Sequence, residues 1–254
     1  MSWPLVTYVL TAAVRDKLVI SLLVLLALGA SMAVFMGSSA VIEQDRFAVV
    51  FASGGLRLAS VLGLVLFVVF FVRRSFDNKD VEFLLSRPIG RIQFLLSLAA
   101  AFSLLALIMG SAVGATIYAV GPHMFGEGHA LWVLSVMVEN IIMVNAALFF
   151  SMFLSSASTA AMVTLAFYVL ARMMGQILGI IDHGIHLFDF GPMAVAIQMI
   201  SAVTPRLDLM AQTSWLIYGP GGEGIGFAYV MVQGLVFGVF IILASLLDFV
   251  FRKF

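Results

Sequence analysis

The sequence predicts an all-α polytopic membrane protein, from its composition and from the grouping of its apolar residues. Of the 254 residues, 63% are hydrophobic and only 10% are charged, whereas a soluble domain carries about 25% charged residues. The mean hydropathy is +1.16, and the apolar residues fall in long uncharged runs. We therefore expect a single transmembrane domain over residues 1–254. The chain has no cysteine, which excludes disulfides, thiol catalysis and cysteine-based metal sites.

The uncharged runs predict six membrane spans, since a helix through roughly 30 Å of hydrocarbon needs about 20 apolar residues. The second span is the shortest, and we expect it to begin before Arg57, with that side chain reaching out to the interface. The fourth and fifth spans are separated only by "SSAST", which is typical of a tight helical hairpin. The predicted spans are about 18–41, 56–72, 92–120, 130–154, 157–181 and 225–247.

Lysine and arginine are distributed unevenly between the two sides of the predicted spans. With both termini on one side, that side holds nine of these residues and the other side holds three, while Arg172 lies inside a span. Short cytoplasmic loops are enriched in Lys and Arg. The distribution therefore predicts a multi-pass protein of the inner (plasma) membrane with both termini in the cytoplasm.

Two further segments are apolar but too short to span a membrane. Residues 2–16 read "SWPLVTYVLTAAVRD", with Ser2 as a possible N-cap, Pro4 in the first turn and apolar residues at helical spacing. This pattern predicts an interfacial helix that leads into the first span. The outer loop 182–224 contains "GPMAVAIQMISAVTP", which predicts a short re-entrant or outer-surface helix.

The most densely charged stretch is "RRSFDNKDVEFLLSRPIGR", residues 73–91, between the second and third spans. A short helix is predicted at about 78–86, because Pro88 limits its length. At about 100° per residue its apolar side chains share one face, away from Glu82 and Phe83. The apolar face can rest on the ends of the spans while the other side faces the cytoplasm.

The run "EFLLSRPIGRIQFLLS" resembles the cytoplasmic loop of permeases of the ABC type-2 (ABC-2) transporter family, and "TPRLDL" is similar to that family's Pro-x-Leu-Asp element in the last outer loop. The resemblance implies that the helix at 78–86 is a coupling helix. Such a helix docks into a groove of a separate ATP-binding subunit and transmits its closure to the spans. The residues that the resemblance assigns to this contact are Asp80, Glu82, Phe83, Arg87, Pro88 and Arg91.

The same resemblance implies a complex of two permease subunits, identical or different, with two ATPase subunits. The complex would move a substrate, with export expected, by ATP hydrolysis. No G-x-x-x-x-G-K-[ST] phosphate loop occurs in the sequence. We therefore expect ATP and Mg²⁺ on the partner subunit, and neither a cofactor nor an enzymatic activity on this chain. Membrane lipid is the other expected partner, and nucleic acid is not expected.

Glu139 and Arg172 are ionisable residues well inside predicted spans, where a charge is costly and should be paired or functional. Each lies roughly 14 Å below the outer end of its span at about 1.5 Å per residue. Equal depth on adjacent antiparallel helices predicts an ion pair, with a structural role or a role in the substrate path. Asn140, Asn145 and Gln176 can extend this pair by hydrogen bonds or only hold helices together.

All the histidines fall in predicted outer loops, namely His123, His129, His183 and His186. His183 and His186 have the i,i+3 spacing of a helical chelate. Because cysteine is absent and carboxylates are scattered, we expect solvated histidines and no metal site.

Two other function classes remain open at the level of the sequence. A secondary transporter or channel usually shows inverted repeats or interrupted spans with several buried charges. A membrane-embedded assembly factor or enzyme would need a set of catalytic or ligand residues around one cavity. The Glu139–Arg172 pair is the feature that either class could use.

Overall fold

The computed structural model of the chain describes residues 2–40, 43–78, 90–184, 191–220 and 225–251. Within these ranges the regular elements are helices, and no strand is present. The helices are α1 Trp3–Arg15, α2 Leu18–Ser38, α3 Gln44–Asp77, α4 Arg91–Val120, α5 Glu127–Phe153, α6 Ala157–Gly184, α7 Gly191–Val203, α8 Trp215–Tyr218 and α9 Phe227–Phe251. Two 3-10 turns lie at Pro122–Met124 and Leu207–Leu209.

Six of the described helices are long and apolar enough to cross a membrane, namely α2, α3, α4, α5, α6 and α9. This finding confirms the predicted all-α class and the six apolar helices. The α5 helix is central, because it contacts α3, α4, α6, α8 and α9. In its most apolar window 67% of the residues are buried, against 17% for α2, which lies at the edge of the bundle.

The helix that contains the second predicted span, 56–72, extends beyond it at both ends. The helix α3 runs from Gln44 to Asp77 over 34 residues, or about 51 Å at about 1.5 Å per residue, which exceeds the hydrocarbon thickness. The uncharged run in the sequence is interrupted at Arg57, whereas the helix continues through this residue. Arg57 is accommodated inside the bundle because its side chain has partners there.

The N-terminal segment forms the helix α1, which packs on α4 and α2. Its buried face is the apolar one that the spacing indicates, including Leu5, Val6 and Val9. Ser2 occupies the N-cap position without a side-chain capping bond, and its backbone N–H donates to Ser97 Oγ at 2.7 Å. A position of α1 at a membrane surface stays a prediction.

The bundle has two ends, which we name by what they carry. At the N-terminal end, α1 lies near the end of α3 and the start of α4, since Tyr8 contacts Phe71 and Ser2 contacts Ser97. The opposite end, the loop end, carries the segment 204–218. The start of α6 follows the end of α5 after only three residues, as the hairpin prediction required.

The segment 204–218 enters the bundle at the loop end instead of lying on its surface. Leu207, Met210 and Ala211 are fully buried. The short helix α8 sits against the first turn of α5, where a Cβ on Gly128 would lie 2.0 Å from the carbonyl oxygen of Trp215. Glycine at this position therefore permits the close approach of the loop to α5.

Candidate functional site

A cluster of charged side chains lies inside the bundle below the segment 204–218. Glu139 on α5 is fully buried. Arg172 Nη1 lies 3.8 Å from Glu139 Oε2, and Arg57 Nε lies 3.9 Å from Glu139 Oε1. One carboxylate therefore faces two guanidinium groups, from α6 and from α3.

The depths of the two predicted partners match. Glu139 is twelve residues after Glu127, the first residue of α5, and Arg172 is twelve residues before Gly184, the last residue of α6. Both lie about 18 Å from the loop end at about 1.5 Å per residue. Antiparallel neighbours with equal depths bring the two side chains together without bending either helix.

The sequence prediction for Arg57 was wrong. It placed this side chain at the interface, whereas the structure turns it into the bundle, where 13% of the side chain is exposed. Arg57 Nη1 donates to the carbonyl oxygen of Ala211 at 2.7 Å. A carboxylate and a carbonyl are better partners for a guanidinium than hydrocarbon, which is the physical reason for the inward position. The one feature of the sequence that could have indicated this inward position is that Arg57 lies between two apolar runs.

The cations of the cluster also hold the backbone of the loop. Arg172 Nη1 donates to the carbonyl oxygens of Leu207 and of Met210, the second at 2.9 Å. Ala211, whose carbonyl accepts from Arg57, has φ of +47°, a left-handed conformation that is unfavourable for alanine. The loop keeps this strained residue where its carbonyl meets the guanidinium.

A second ion pair lies within the loop, in the "TPRLDL" element. Arg206 donates from Nε to Asp208 Oδ1 at 3.0 Å and from Nη2 to Asp208 Oδ2 at 2.8 Å. These hydrogen bonds are the main reason that the pKa of Arg206 lies above its ordinary value. A Cβ on Gly175 of α6 would lie 2.4 Å from Asp208 Oδ2, so glycine there lets the pair rest against α6.

The formal charges of the cluster sum to one excess positive charge. Arg57, Arg172 and Arg206 carry three positive charges, and Glu139 and Asp208 carry two negative ones. Asp208 also interacts electrostatically with Arg172, and the buried Tyr168 interacts with Glu139 and both nearby arginines. The Glu139 oxygens make no hydrogen bond of ordinary geometry with the described residues, and Tyr168 is the hydrogen-bonding side chain beside them. The carboxylate is thus neutralised by charge and incompletely satisfied by hydrogen bonds.

The amide side chains near the cluster hold helices together. Asn140 Nδ2 donates to Ser60 Oγ at 2.9 Å and joins α5 to α3. Asn145 Nδ2 donates to Ser103 Oγ at 3.0 Å and joins α5 to α4. Gln176 is exposed. Of the two roles that the sequence left open for these amides, helix–helix contact is the one that Asn140 and Asn145 have.

Most of the residues assigned to the coupling contact lie outside the described part of the chain, namely Asp80, Glu82, Phe83, Arg87 and Pro88. The helix predicted at 78–86 therefore stays a prediction. Asn78 is the C-cap of α3, and Arg91 is the first residue of α4. Residues 79–89 thus connect two long helices at the N-terminal end.

The charged groups next to this stretch pair locally. Arg73 Nη2 lies 3.5 Å from Asp77 Oδ1, one helical turn away, and Arg73 Nη1 donates to the carbonyl oxygen of Leu154 at 3.3 Å. Arg74 Nη1 lies 3.2 Å from Asp16 Oδ2, which links α3 to the end of α1.

One histidine is not solvated as predicted. His129 lies in the first turn of α5, with 2% of its surface exposed, whereas His123 is exposed. The helix α5 begins at Glu127, earlier than the span predicted from residue 130, and its first turn is covered by the loop. The described residues contain no group of three His, Asp or Glu residues that could hold a metal ion, and His186 lies outside them.

No protein-family model matches the sequence, and no curated protein matches it.

Proposed function

We propose that this chain is the transmembrane permease subunit of an ATP-binding cassette transporter of the ABC-2 type. The observation that carries the proposal is the run "EFLLSRPIGRIQFLLS", with its likeness to the cytoplasmic loop of that family. Its position supports the proposal, because it connects α3 and α4, two of the six helices long enough to cross a membrane. The second similar element, "TPRLDL", lies over the buried charges.

In this proposal the motor is a separate protein. Two ATPase subunits bind ATP and Mg²⁺, and each one contacts the coupling helix of one permease subunit. Glu82 and Phe83 are the central contacts, with Asp80, Arg87, Pro88 and Arg91 around them. Closure of the ATPase pair pulls on α3 and α4, which flank the coupling helix, and the substrate is moved outward.

The test is a double substitution in the coupling helix. Glu82→Ala with Phe83→Ala should abolish binding of the ATPase subunit or uncouple hydrolysis from transport, while the permease still inserts. The matched control is Glu43→Ala with Phe47→Ala, an exposed pair of the same residue types at the loop end. Co-purification of the ATPase subunit and the ATPase rate are the measurements. Normal coupling in the first variant would remove the coupling-helix assignment.

The orientation follows from the charge bias and is part of the proposal. With Arg57 inside the bundle, nine Lys and Arg residues remain on the side of the termini and two remain on the loop side. Because the chain has no cysteine, a thiol introduced at Asn78 or at the exposed Tyr218 is the one thiol of the chain. Asn78→Cys should react only with reagents that reach the cytoplasm and Tyr218→Cys only with external ones. External labelling of Asn78→Cys would reverse the orientation.

The buried cluster favours a second candidate, a secondary transporter. Such proteins keep several charges near the middle of the membrane, and Glu139, Arg57 and Arg172 are such charges. The discriminating experiment is transport into vesicles that hold this chain alone, driven by an ion gradient without ATP. Transport under these conditions would favour the second candidate over the ABC permease.

A further inference from the structure

A groove runs between α4 and α5 on the outer surface of the bundle, in the half nearest the loop end. Its volume is about 630 Å³, which lies in the range of about 300–1,000 Å³ that is usual for ligand sites. The side chains that line it come from residues 111–118 of α4, from residues 130–137 of α5, and from Phe125 between the two helices.

The floor of the groove is the close contact of the two helices. A Cβ on Gly114 of α4 would lie 2.7 Å from the side chain of Val133 of α5, so glycine permits this contact. The exposed lining positions on either side of it include Ala115 and Ala130. Because these side chains are small, the space above the contact stays open to the surroundings of the bundle.

Two aromatic side chains form the mouth of the groove at the loop end. The rings of Tyr118 and Phe125 meet edge to face, with 5.2 Å between their centroids and 87° between their planes. They hold this contact although 49% and 58% of the two residues is exposed. The Phe125 ring also lies 5.8 Å from that of His129, so a residue outside the helices is fixed as a wall of the groove. Tyrosine at the end of a span is typical of the membrane–water interface.

The chemistry of the lining separates the mouth from the deeper part. The lining side chains that carry polar groups are those of Ser111 and Tyr118. Ser111 Oγ donates to the carbonyl oxygen of Leu107 at 2.8 Å, so this hydroxyl is satisfied within α4. The deeper part therefore offers apolar surface to a ligand, and a polar group of that ligand fits only at the mouth, near the Tyr118 hydroxyl.

The depth of the groove matches one leaflet of a membrane. Tyr118 is two residues before Val120, the last residue of α4, and Met137 is ten residues after Glu127, the first residue of α5. The groove thus extends from about 3 Å to about 15 Å below the loop end at about 1.5 Å per residue. Half of the hydrocarbon thickness is about 15 Å. Both helices are long and apolar enough to cross a membrane, so hydrocarbon chains are the medium beside the groove.

We propose that this groove binds one acyl chain of a membrane phospholipid from the leaflet at the loop end, with the headgroup at the mouth beside Tyr118. A chain in the groove contacts α4, α5 and Phe125, whereas a chain on a single helix face contacts one side only. Dispersion attraction grows with the number of such contacts, and packing drives association within membranes. A second copy of the chain fits less well, because nine residues line the groove, against about 20–30 on each side of a stable protein interface.

This inference stands apart from the proposed ATP-driven transport, because it rests on the groove between α4 and α5 alone. The test uses the full, unaltered chain in vesicles of phosphatidylcholine, with a trace of phosphatidylcholine that carries a diazirine in the middle of one acyl chain. After illumination, the labelled residues are located by mass spectrometry. The internal control is the half of α2 nearest the loop end, where Leu28, Met32 and Phe35 are 62%, 55% and 65% exposed.

We expect the groove to be labelled at least about fivefold more than this face of α2, a preference of about 1 kcal/mol. Equal labelling would overturn the proposal, because the lipid would then be ordinary boundary lipid. Weaker labelling of the groove would also overturn it, since a protein segment would then fill the groove.

A pair of variants tests the position of the chain. Ala115→Phe fills the groove and should remove the preference for it over α2. The matched control is Ala119→Phe, one turn later in α4, which is also exposed and lies outside the lining. This control should keep the preference. A preference that persists in Ala115→Phe would overturn the proposal, and the result from the unaltered chain decides it if that variant does not fold.

Discussion

The two ends of the bundle use the same charged residue types in opposite ways. At the N-terminal end, Arg74 is largely exposed and meets Asp16 at 3.2 Å. Below the loop end, Glu139 is fully buried and meets two guanidinium groups at 3.8 and 3.9 Å. The first pair is shorter yet worth less, because water screens it, whereas removal of one partner from the second leaves a charge in a medium of low dielectric constant.

This difference between the two ends predicts where the chain tolerates substitution. Side chains at the N-terminal end pair with neighbours that water could replace. The cations at the loop end hold the carbonyl oxygens of Leu207, Met210 and Ala211, so that the backbone of the loop depends on them. Substitutions below the loop should therefore disturb α3, α5, α6 and the loop at once.

The largest effect on stability is expected from Glu139→Leu. It leaves Arg57 and Arg172 largely buried without the carboxylate that they share, and breaking a buried pair costs about 3–5 kcal/mol. Adding Arg172→Leu should cost less than Arg172→Leu costs in the unaltered chain, because it then removes an unneutralised cation, although the carbonyl oxygens of Leu207 and Met210 lose their donor in both cases. The thermal midpoint in detergent measures both variants.

The matched control for this prediction is Glu43→Leu, which breaks an exposed pair with Arg46 at 2.7 Å. Its effect should be about 0–1 kcal/mol. Losses that simply add in the double variant Glu139→Leu, Arg172→Leu would show that the two residues do not act as a pair.

An intermediate effect is expected from Gly175→Ala. The new methyl group would lie 2.4 Å from Asp208 Oδ2, and the fork with Arg206 prevents the carboxylate from moving aside freely, so a loss of about 1–3 kcal/mol follows. Gly179→Ala in the same helix meets nothing within 4 Å and should be neutral or stabilising. The two variants are compared by thermal midpoint and by protease cleavage of the loop. Equal behaviour would mean that the loop does not rest on α6.

The smallest effect is expected from Arg74→Ala at the N-terminal end. An exposed ion pair contributes about 0–1 kcal/mol, and salt weakens it further. The midpoint should fall slightly at low ionic strength and not at all in high salt. A loss comparable with that of Glu139→Leu would remove the contrast between the two ends.

The sequence predicted the long helices well and the buried cluster only in part. Uncharged runs and their length predicted six spans, and the bounds of five of them agree with those of long helices within about four residues at each end. Glu139 and Arg172 stood out because a charge in an apolar run is rare. Arg57 was misplaced because the side chain of a cation near the predicted start of a span can take two positions. It can point outward to water or inward to a partner. The choice depends on whether a carboxylate and a carbonyl lie within reach.

The sequence alone determined the class of this protein, because the need to bury apolar residues in long helices is a local property of each run. It also distinguished the two sides of the predicted spans, since the excess of Lys and Arg on one side can be counted in the sequence. Only the tertiary structure decided that the segment 204–218 enters the bundle, that Ala211 takes a left-handed conformation and that Arg57 joins Glu139. Those features link residues up to 154 positions apart. Such contacts depend on how the helices pack against each other, which the pattern within one helix does not encode.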